Sequence, residues 1–160
     1  MQQKKFVTKS KEETQKIASR FAKKLKGGEV LCFYGDLGSG KTTFIQGLAR
    51  GLGIKQNITS PTFVLMKKYP RRGAIYCARQ RGVINHAPTK CKIFFYHMDA
   101  YRLSNSQEAI DLGIEEIWDD PKNIIAIEWA DKISEILPKK KIDLCFESLS
   151  ENKRKINIFN

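Results

Sequence analysis

Long apolar runs are missing from this chain. No stretch of eighteen consecutive apolar residues occurs in its 160 residues, which excludes a membrane-spanning helix of ordinary length. The opening Met1-Gln2-Gln3-Lys4-Lys5-Phe6 has no apolar stretch of the signal-peptide kind, so a cytoplasmic protein with no membrane partner is expected. Cysteine is sparse. Of the four, Cys32 and Cys145 lie inside apolar, strand-like runs and read as core thiols. Cys77 and Cys91, even with His86, are too few and too irregularly spaced for a metal site. An Asn/Thr-Lys-x-Asp signature for guanine is absent, since Thr89-Lys90-Cys91-Lys92 lacks the aspartate. Acids are scarce too: 17 against 29 lysines and arginines leave a net charge of +12. Such an excess favours an anionic partner, with RNA the obvious class. Half of it lies in residues 70–92, which contain Arg71, Arg72, Arg79, Arg81, Lys90 and Lys92 and no acid.

Against these absences stands Gly35-Asp36-Leu37-Gly38-Ser39-Gly40-Lys41-Thr42, followed by Thr43. It satisfies the phosphate-loop pattern G-x-x-x-x-G-K-[ST] in full. The preceding Val30-Leu31-Cys32-Phe33-Tyr34 is a short apolar run that predicts a buried parallel strand. The following Thr43 to Leu52 carries Phe44, Leu48 and Leu52 at helical spacing. Glycines let successive N–H groups turn inward around phosphate oxygens, and the helix N-terminus adds a partial positive charge. Lys41 is expected to reach the β- and γ-phosphates of ATP, and the Thr42 hydroxyl to ligate Mg²⁺.

The rest of the chain alternates strands and helices. Ser10-Lys11-Glu12-Glu13 has the capping-box form, and Ile17, Phe21 and Leu25 share one face of a helix over 11–26 that Gly27-Gly28 ends. A strand is expected from Phe63 to Tyr69, an irregular segment over 70–92, and strands over Ile93 to Met98 and Asn123 to Ile127. Ser106 is the expected cap of a short helix that Gly113 stops, with further turns over Ile114 to Trp118. Ala130 to Leu137 reads as a short helix, and Ile142 to Phe146 with Lys155 to Phe159 as a closing hairpin. The length suits one domain over 1–160. The pattern predicts an α/β, P-loop NTPase-like fold, with a mixed, mostly parallel sheet and helices on both faces.

An ATP–Mg²⁺ site also needs an acid at the end of a strand beside the loop. Two strands end in one: Phe94-Phe95-Tyr96-His97-Met98-Asp99 and Ile124-Ile125-Ala126-Ile127-Glu128. Asp99 and Glu128 are both expected near the metal. Ser60 and Thr62, in Ser60-Pro61-Thr62, offer hydroxyls of the kind that sense a γ-phosphate. Trp129 either covers the site or packs in the core. His97 reads as structural, because nothing in the sequence pairs it with a nucleophile.

Taken in order, five blocks resemble one family, the bacterial ATPases of tRNA threonylcarbamoyladenosine biosynthesis, TsaE (formerly YjeE). They are the phosphate loop through Thr43, Ser60-Pro61-Thr62-Phe63, His97-Met98-Asp99-Ala100-Tyr101-Arg102-Leu103, Leu112-Gly113-Ile114-Glu115-Glu116 and Ile127-Glu128-Trp129-Ala130-Asp131. The resemblance covers roughly residues 6 to 150. It implies an ATPase that works with the TsaD and TsaB proteins on adenosine 37 of tRNA, touching tRNA directly or through that complex. It also implies Lys41 and Thr42 as phosphate and Mg²⁺ ligands, and Asp99 as the Walker B-type acid. Glu128 becomes a metal-site or catalytic acid, Ser60 and Thr62 part of a switch-like segment, and Trp129 a neighbour of the site. Residues 70–92 exceed the family's usual connection and count as an inserted loop. A small-molecule kinase on the same scaffold is the competing reading, with the arginines of 71–81 as its lid.

Overall fold

Alternation along one strand divides the molecule into two cores. In β2 (Glu29–Tyr34), Leu31 and Phe33 join one buried cluster with Ala18, Phe44 and Leu48. Val30 and Cys32 point the other way, into a second cluster with Ala109, Ile114 and Ile133. A strand that is apolar on both faces must be covered on both. The computed structural model describes residues 3–60, 65–71, 75–76, 90–91 and 93–159.

The chain runs β1 (Gln3–Thr8), α1 (Lys11–Ala22), β2, α2 (Lys41–Gly51), β3 (Met66–Pro70), β4 (Ile75–Tyr76), β5 (Lys90–Cys91) and β6 (Phe94–Asp99). It continues through α3 (Ser106–Asp111), α4 (Ile114–Asp119), β7 (Asn123–Glu128), a 3₁₀ turn (Ala130–Ile133), β8 (Ile142–Ser148) and β9 (Arg154–Phe159). Seven strands form one sheet in the order β1-β9-β8-β2-β7-β6-β3. The middle, β8-β2-β7-β6, is parallel, while β3, β9 and β1 pair antiparallel at the flanks. The expected mixed, mostly parallel sheet with helices on both faces is what forms.

α1 and α2 cover the first face and approach each other closely. An added Cβ on Gly47 would lie 2.5 Å from the Gln15 carbonyl oxygen and 2.7 Å from the Ala18 Cβ. Only glycine lets the helices meet there. Ser10 caps α1 as expected, its hydroxyl accepting from the Glu13 N–H at 3.2 Å.

Several local expectations need correction. α1 ends at Ala22 rather than residue 26, followed by a tight turn in which the Lys24 and Leu25 N–H groups donate to Phe21 and Ala22. α2 starts two residues early, at Lys41. Asn105, not Ser106, caps α3; its backbone is extended and its side chain accepts from the Glu108 N–H at 3.1 Å. The helix expected over 130–137 is only a 3₁₀ turn, because its i→i−3 bonds continue no further than Ile136. β1 is an addition: its charged, mostly exposed residues carry too little apolar alternation to signal a strand, and pairing with β9 makes it one. Cys32 is fully buried, as expected of a core thiol, whereas Cys145 is only half-buried. Within 70–92, Ile75–Tyr76 pairs antiparallel with Lys90–Cys91. Most of that segment, and with it Thr62, lies outside the described residues.

Candidate nucleotide site

The parallel strands deliver their C-terminal ends to one edge of the sheet. β2 runs out into the phosphate loop, and β6 and β7 run in register so that Asp99 stands opposite Glu128. Two strand-end acids, far apart in sequence, thereby become neighbours beside the loop. Gly35 turns the chain off β2 at φ +126°, where a Cβ would meet the Phe146 carbonyl oxygen at 2.3 Å.

A cleft of about 220 Å³ opens along the loop, lined by Lys41, Thr42, Thr43, Asp99, Glu128 and Trp129 among others. Leu37, Gly38, Gly40 and Ser60 complete the expected residues that line it. Gly35, Asp36 and Ser39, also expected at the site, belong to the loop but are not among the residues that line this cleft. Ser39 is buried, and among the described residues its hydroxyl has no hydrogen-bond partner. A buried hydroxyl without a partner is uncommon, and a phosphate oxygen would satisfy it.

Lys41 is folded onto its own loop. Its Nζ donates to the Gly35 carbonyl at 2.6 Å and to the Asp36 carbonyl at 2.9 Å. Burial holds its ammonium below the ordinary lysine range, opposed by the carboxylates of Glu128, Asp99, Asp36 and Asp131. The same Nζ lies 4.0 Å from the Trp129 ring centroid. Trp129 is half-buried, lining the cleft on one side and packing against the second core cluster on the other, so both readings of it hold, and its ring also meets Tyr101 at 5.0 Å between centroids.

The acids are held by hydroxyls. Thr42 Oγ1 donates to Glu128 at 2.9–3.0 Å. Ser60 donates to Asp99, whose other oxygen accepts from the Tyr101 N–H at 3.1 Å. The donor set suits Mg²⁺: a hydroxyl and two carboxylates beside a phosphate cradle, leaving further positions for phosphate oxygens and water. Among the described residues no group of three or more His, Cys, Asp and Glu converges, so a metal here would depend on Thr42 and on ligands that are not protein.

Two features escaped sequence reasoning. His97, read as structural, is fully buried and its Nε2 lies 2.8 Å from Glu128 Oε1. A signal was present: His97 and Asp99 alternate on one strand beside the one that ends in Glu128. The second is a smaller cleft of about 140 Å³ that shares Gly38, Gly40 and Thr43 with the main cleft and is bordered by Ser10, Lys11, Thr14, Asn152 and Arg154. Arg154 Nη2 donates to the Gly38 carbonyl at 3.2 Å. Nothing in the sequence links β9 to a loop more than a hundred residues earlier.

This sheet order, with a phosphate loop after β2 and acids ending β6 and β7, defines an α/β protein of the P-loop NTPase-like class. A family model described as "Threonylcarbamoyl adenosine biosynthesis protein TsaE" matches residues 8–156, and the chain belongs to that family. It is 36% identical over 156 residues to the tRNA threonylcarbamoyladenosine biosynthesis protein TsaE of Bacillus subtilis (strain 168), covering 98% of this chain and 85% of the relative. Identity to the Aquifex aeolicus (strain VF5) protein of that name is 34% over 160 residues, covering 98% and 96%. The fold is similar to the crystal structure of YdiB from Bacillus subtilis, with a TM-score of 0.72 at 32% identity, covering 98% of this chain and 84% of that one. No helix among the described residues is long and apolar enough to cross a membrane.

Proposed function

We propose that this protein binds ATP with Mg²⁺ and hydrolyses it, in support of tRNA threonylcarbamoyladenosine formation at adenosine 37, together with TsaD and TsaB. The observation that carries the reading is the meeting of Lys41, Thr42, Asp99 and Glu128 at one cleft on a phosphate loop. Loop N–H groups and the Ser39 hydroxyl bind phosphate oxygens. Lys41 exchanges the carbonyls of Gly35 and Asp36 for the β- and γ-phosphates. Thr42 has one hydrogen for Glu128 and lone pairs for the metal, so both bonds coexist. Mg²⁺, when bound, neutralises charge on the phosphate oxygens. Asp99 serves as its carboxylate ligand, and Glu128 either shares that task or orients the attacking water.

No arginine lines the main cleft among the described residues. A stabilising arginine at the γ-phosphate raises turnover by about 10³–10⁵-fold, so the isolated chain is a slow ATPase that partner proteins complete. The test is ATP hydrolysis measured with and without TsaD, TsaB and tRNA. Slow turnover alone, accelerated by the partners, is expected. Absence of ATP binding, or transfer of phosphate to a small acceptor instead of water, would overturn the assignment.

A further inference from the structure

We infer that His97 is a positioning residue for Glu128, fixing the carboxylate from within the sheet while Thr42 holds it from the phosphate loop; this rests on the reading of Glu128 as an acid of the nucleotide site. Glu128 is almost fully buried, and a buried carboxylate needs donors. It has two. Thr42 bonds both oxygens from α2, the element that must also serve phosphate and metal. His97 bonds Oε1 alone, from the neighbouring strand, at 2.8 Å.

The other ring nitrogen explains why histidine stands there. Nδ1 is buried and, among the described residues, has no hydrogen-bond partner. Among the described residues the ring's one hydrogen bond is with a carboxylate oxygen, an acceptor, which places a hydrogen on Nε2. A histidine kept for packing would satisfy both nitrogens, and an apolar residue in this fully buried position would avoid the unsatisfied Nδ1 altogether. The ring is thus committed to Glu128. Nε2–H holds Oε1 from the sheet side, while the Thr42 hydroxyl meets Oε1 at 3.0 Å and Oε2 at 2.9 Å, so the carboxylate is gripped between the two.

The test compares His97→Gln, whose Nε2 amide keeps a donor at similar reach, with His97→Leu, which removes it. At saturating ATP and Mg²⁺, with partner proteins present, His97→Leu should lower turnover by about 10–100-fold, the loss expected for one charge-assisted bond. His97→Gln should recover most of that. ATP affinity in EDTA should stay within about twofold for both, as one bond remote from the phosphates predicts. In a Glu128→Gln background, His97→Leu should add almost nothing, because coupled residues are not additive. Equal losses in Leu and Gln variants, no loss in either, or full additivity would overturn the inference. A second measurement does not need turnover. The chain has only two histidines, so ¹⁵N imidazole shifts can be assigned directly. His97 should show an Nε2-bound hydrogen that is shifted downfield and exchanges slowly with water, and Glu128→Ala should abolish both features. If wild-type protein fails to hydrolyse ATP but shows this Glu128-dependent hydrogen, the ATPase reading falls and the positioning contact stands. An Nε2-bound hydrogen whose shift and exchange are indifferent to Glu128 would remove the contact itself.

Discussion

Lys41 Nζ lies 4.0 Å from the centroid of the Trp129 ring, between that ring and the carbonyls of its own loop. The arrangement depends on backbone that tryptophan rarely adopts: Trp129 sits at φ +57°, one of two described non-glycine residues at positive φ. Strain of this kind concentrates at functional sites. Here it turns the ring from the end of β7 across the loop and gives the lysine a resting place.

Lys41→Met should separate binding from folding. A charged lysine held below its ordinary pKa range by burial costs the fold something, so the variant should be at least as stable as wild type in urea. Loss of a charge-assisted bond worth about 1.5–3 kcal/mol should weaken ATP binding by about one to two orders of magnitude. Titration calorimetry beside urea melts reads both. Unchanged affinity would remove Lys41 from the site.

Asp99→Asn and Glu128→Gln should differ. An amide is a poorer Mg²⁺ ligand than a carboxylate, so Asp99→Asn should lose most of the Mg²⁺-dependent part of ATP affinity. If Glu128 acts on water, Glu128→Gln should keep affinity and lose turnover. Equal loss of affinity in both would make Glu128 a metal ligand only.

Gly47→Ala tests the seat of the phosphate-loop helix. Its new methyl would press on the Gln15 carbonyl at 2.5 Å. Overpacking costs about 1–3 kcal/mol, against a helix-propensity gain of about 1 kcal/mol. A net destabilisation in urea melts is expected; a stabilised variant would mean the two helices part freely.

Cys32 should resist alkylation. Burial, reinforced by the Asp143 carboxylate and opposed by Lys141, pushes its thiol from 9.0 up to about 12. Because the thiolate is the nucleophile, iodoacetamide near pH 8 should label it about a thousandfold more slowly than in urea. The raised value has a stability consequence. Above the unfolded pKa of 9.0 the unfolded thiol ionises while the folded one stays neutral, so this contribution is lost as pH climbs toward about 12. Fast labelling of the native protein would contradict the burial.

Residues 71 and 93, which bracket the segment read as an insertion, lie side by side. The Arg71 N–H donates to the Ile93 carbonyl at 2.9 Å, and Pro70 stands opposite Phe94 in the antiparallel pair. Replacing residues 72–92 by a short glycine turn should therefore leave ATP binding intact. If the loop touches tRNA, each lost phosphate contact should flatten the salt dependence of RNA binding by about 0.7–0.9 in log–log slope. An unmoved slope would make it a solvated loop.

Much of this was local and therefore legible. The phosphate loop declares itself because its glycines, lysine and threonine are contiguous, and the strand before it and helix after it have unmistakable apolar spacing. Asp99 and Glu128 were legible through a general rule, that parallel strands end where ligands bind. β1 was not, since an edge strand needs few apolar residues once a neighbour such as β9 supplies its hydrogen bonds. Nor was the true extent of the segment after Trp129, where the left-handed residue and short-range bonds produce a 3₁₀ turn from a sequence that reads as helix.

The sequence by itself determined the phosphate-loop pattern with its lysine and threonine, and the standing of two acids at the ends of strands. Only the tertiary structure decided what each touches. Register between β6 and β7 set Asp99 opposite Glu128 and brought His97 within bonding distance of that acid. The fold carried Arg154 to Gly38 and turned Trp129 over Lys41. The physical reason is separation along the chain. A motif within eight residues is constrained by its own backbone, whereas a contact across thirty or a hundred residues exists only when sheet pairing and core packing bring the two ends together.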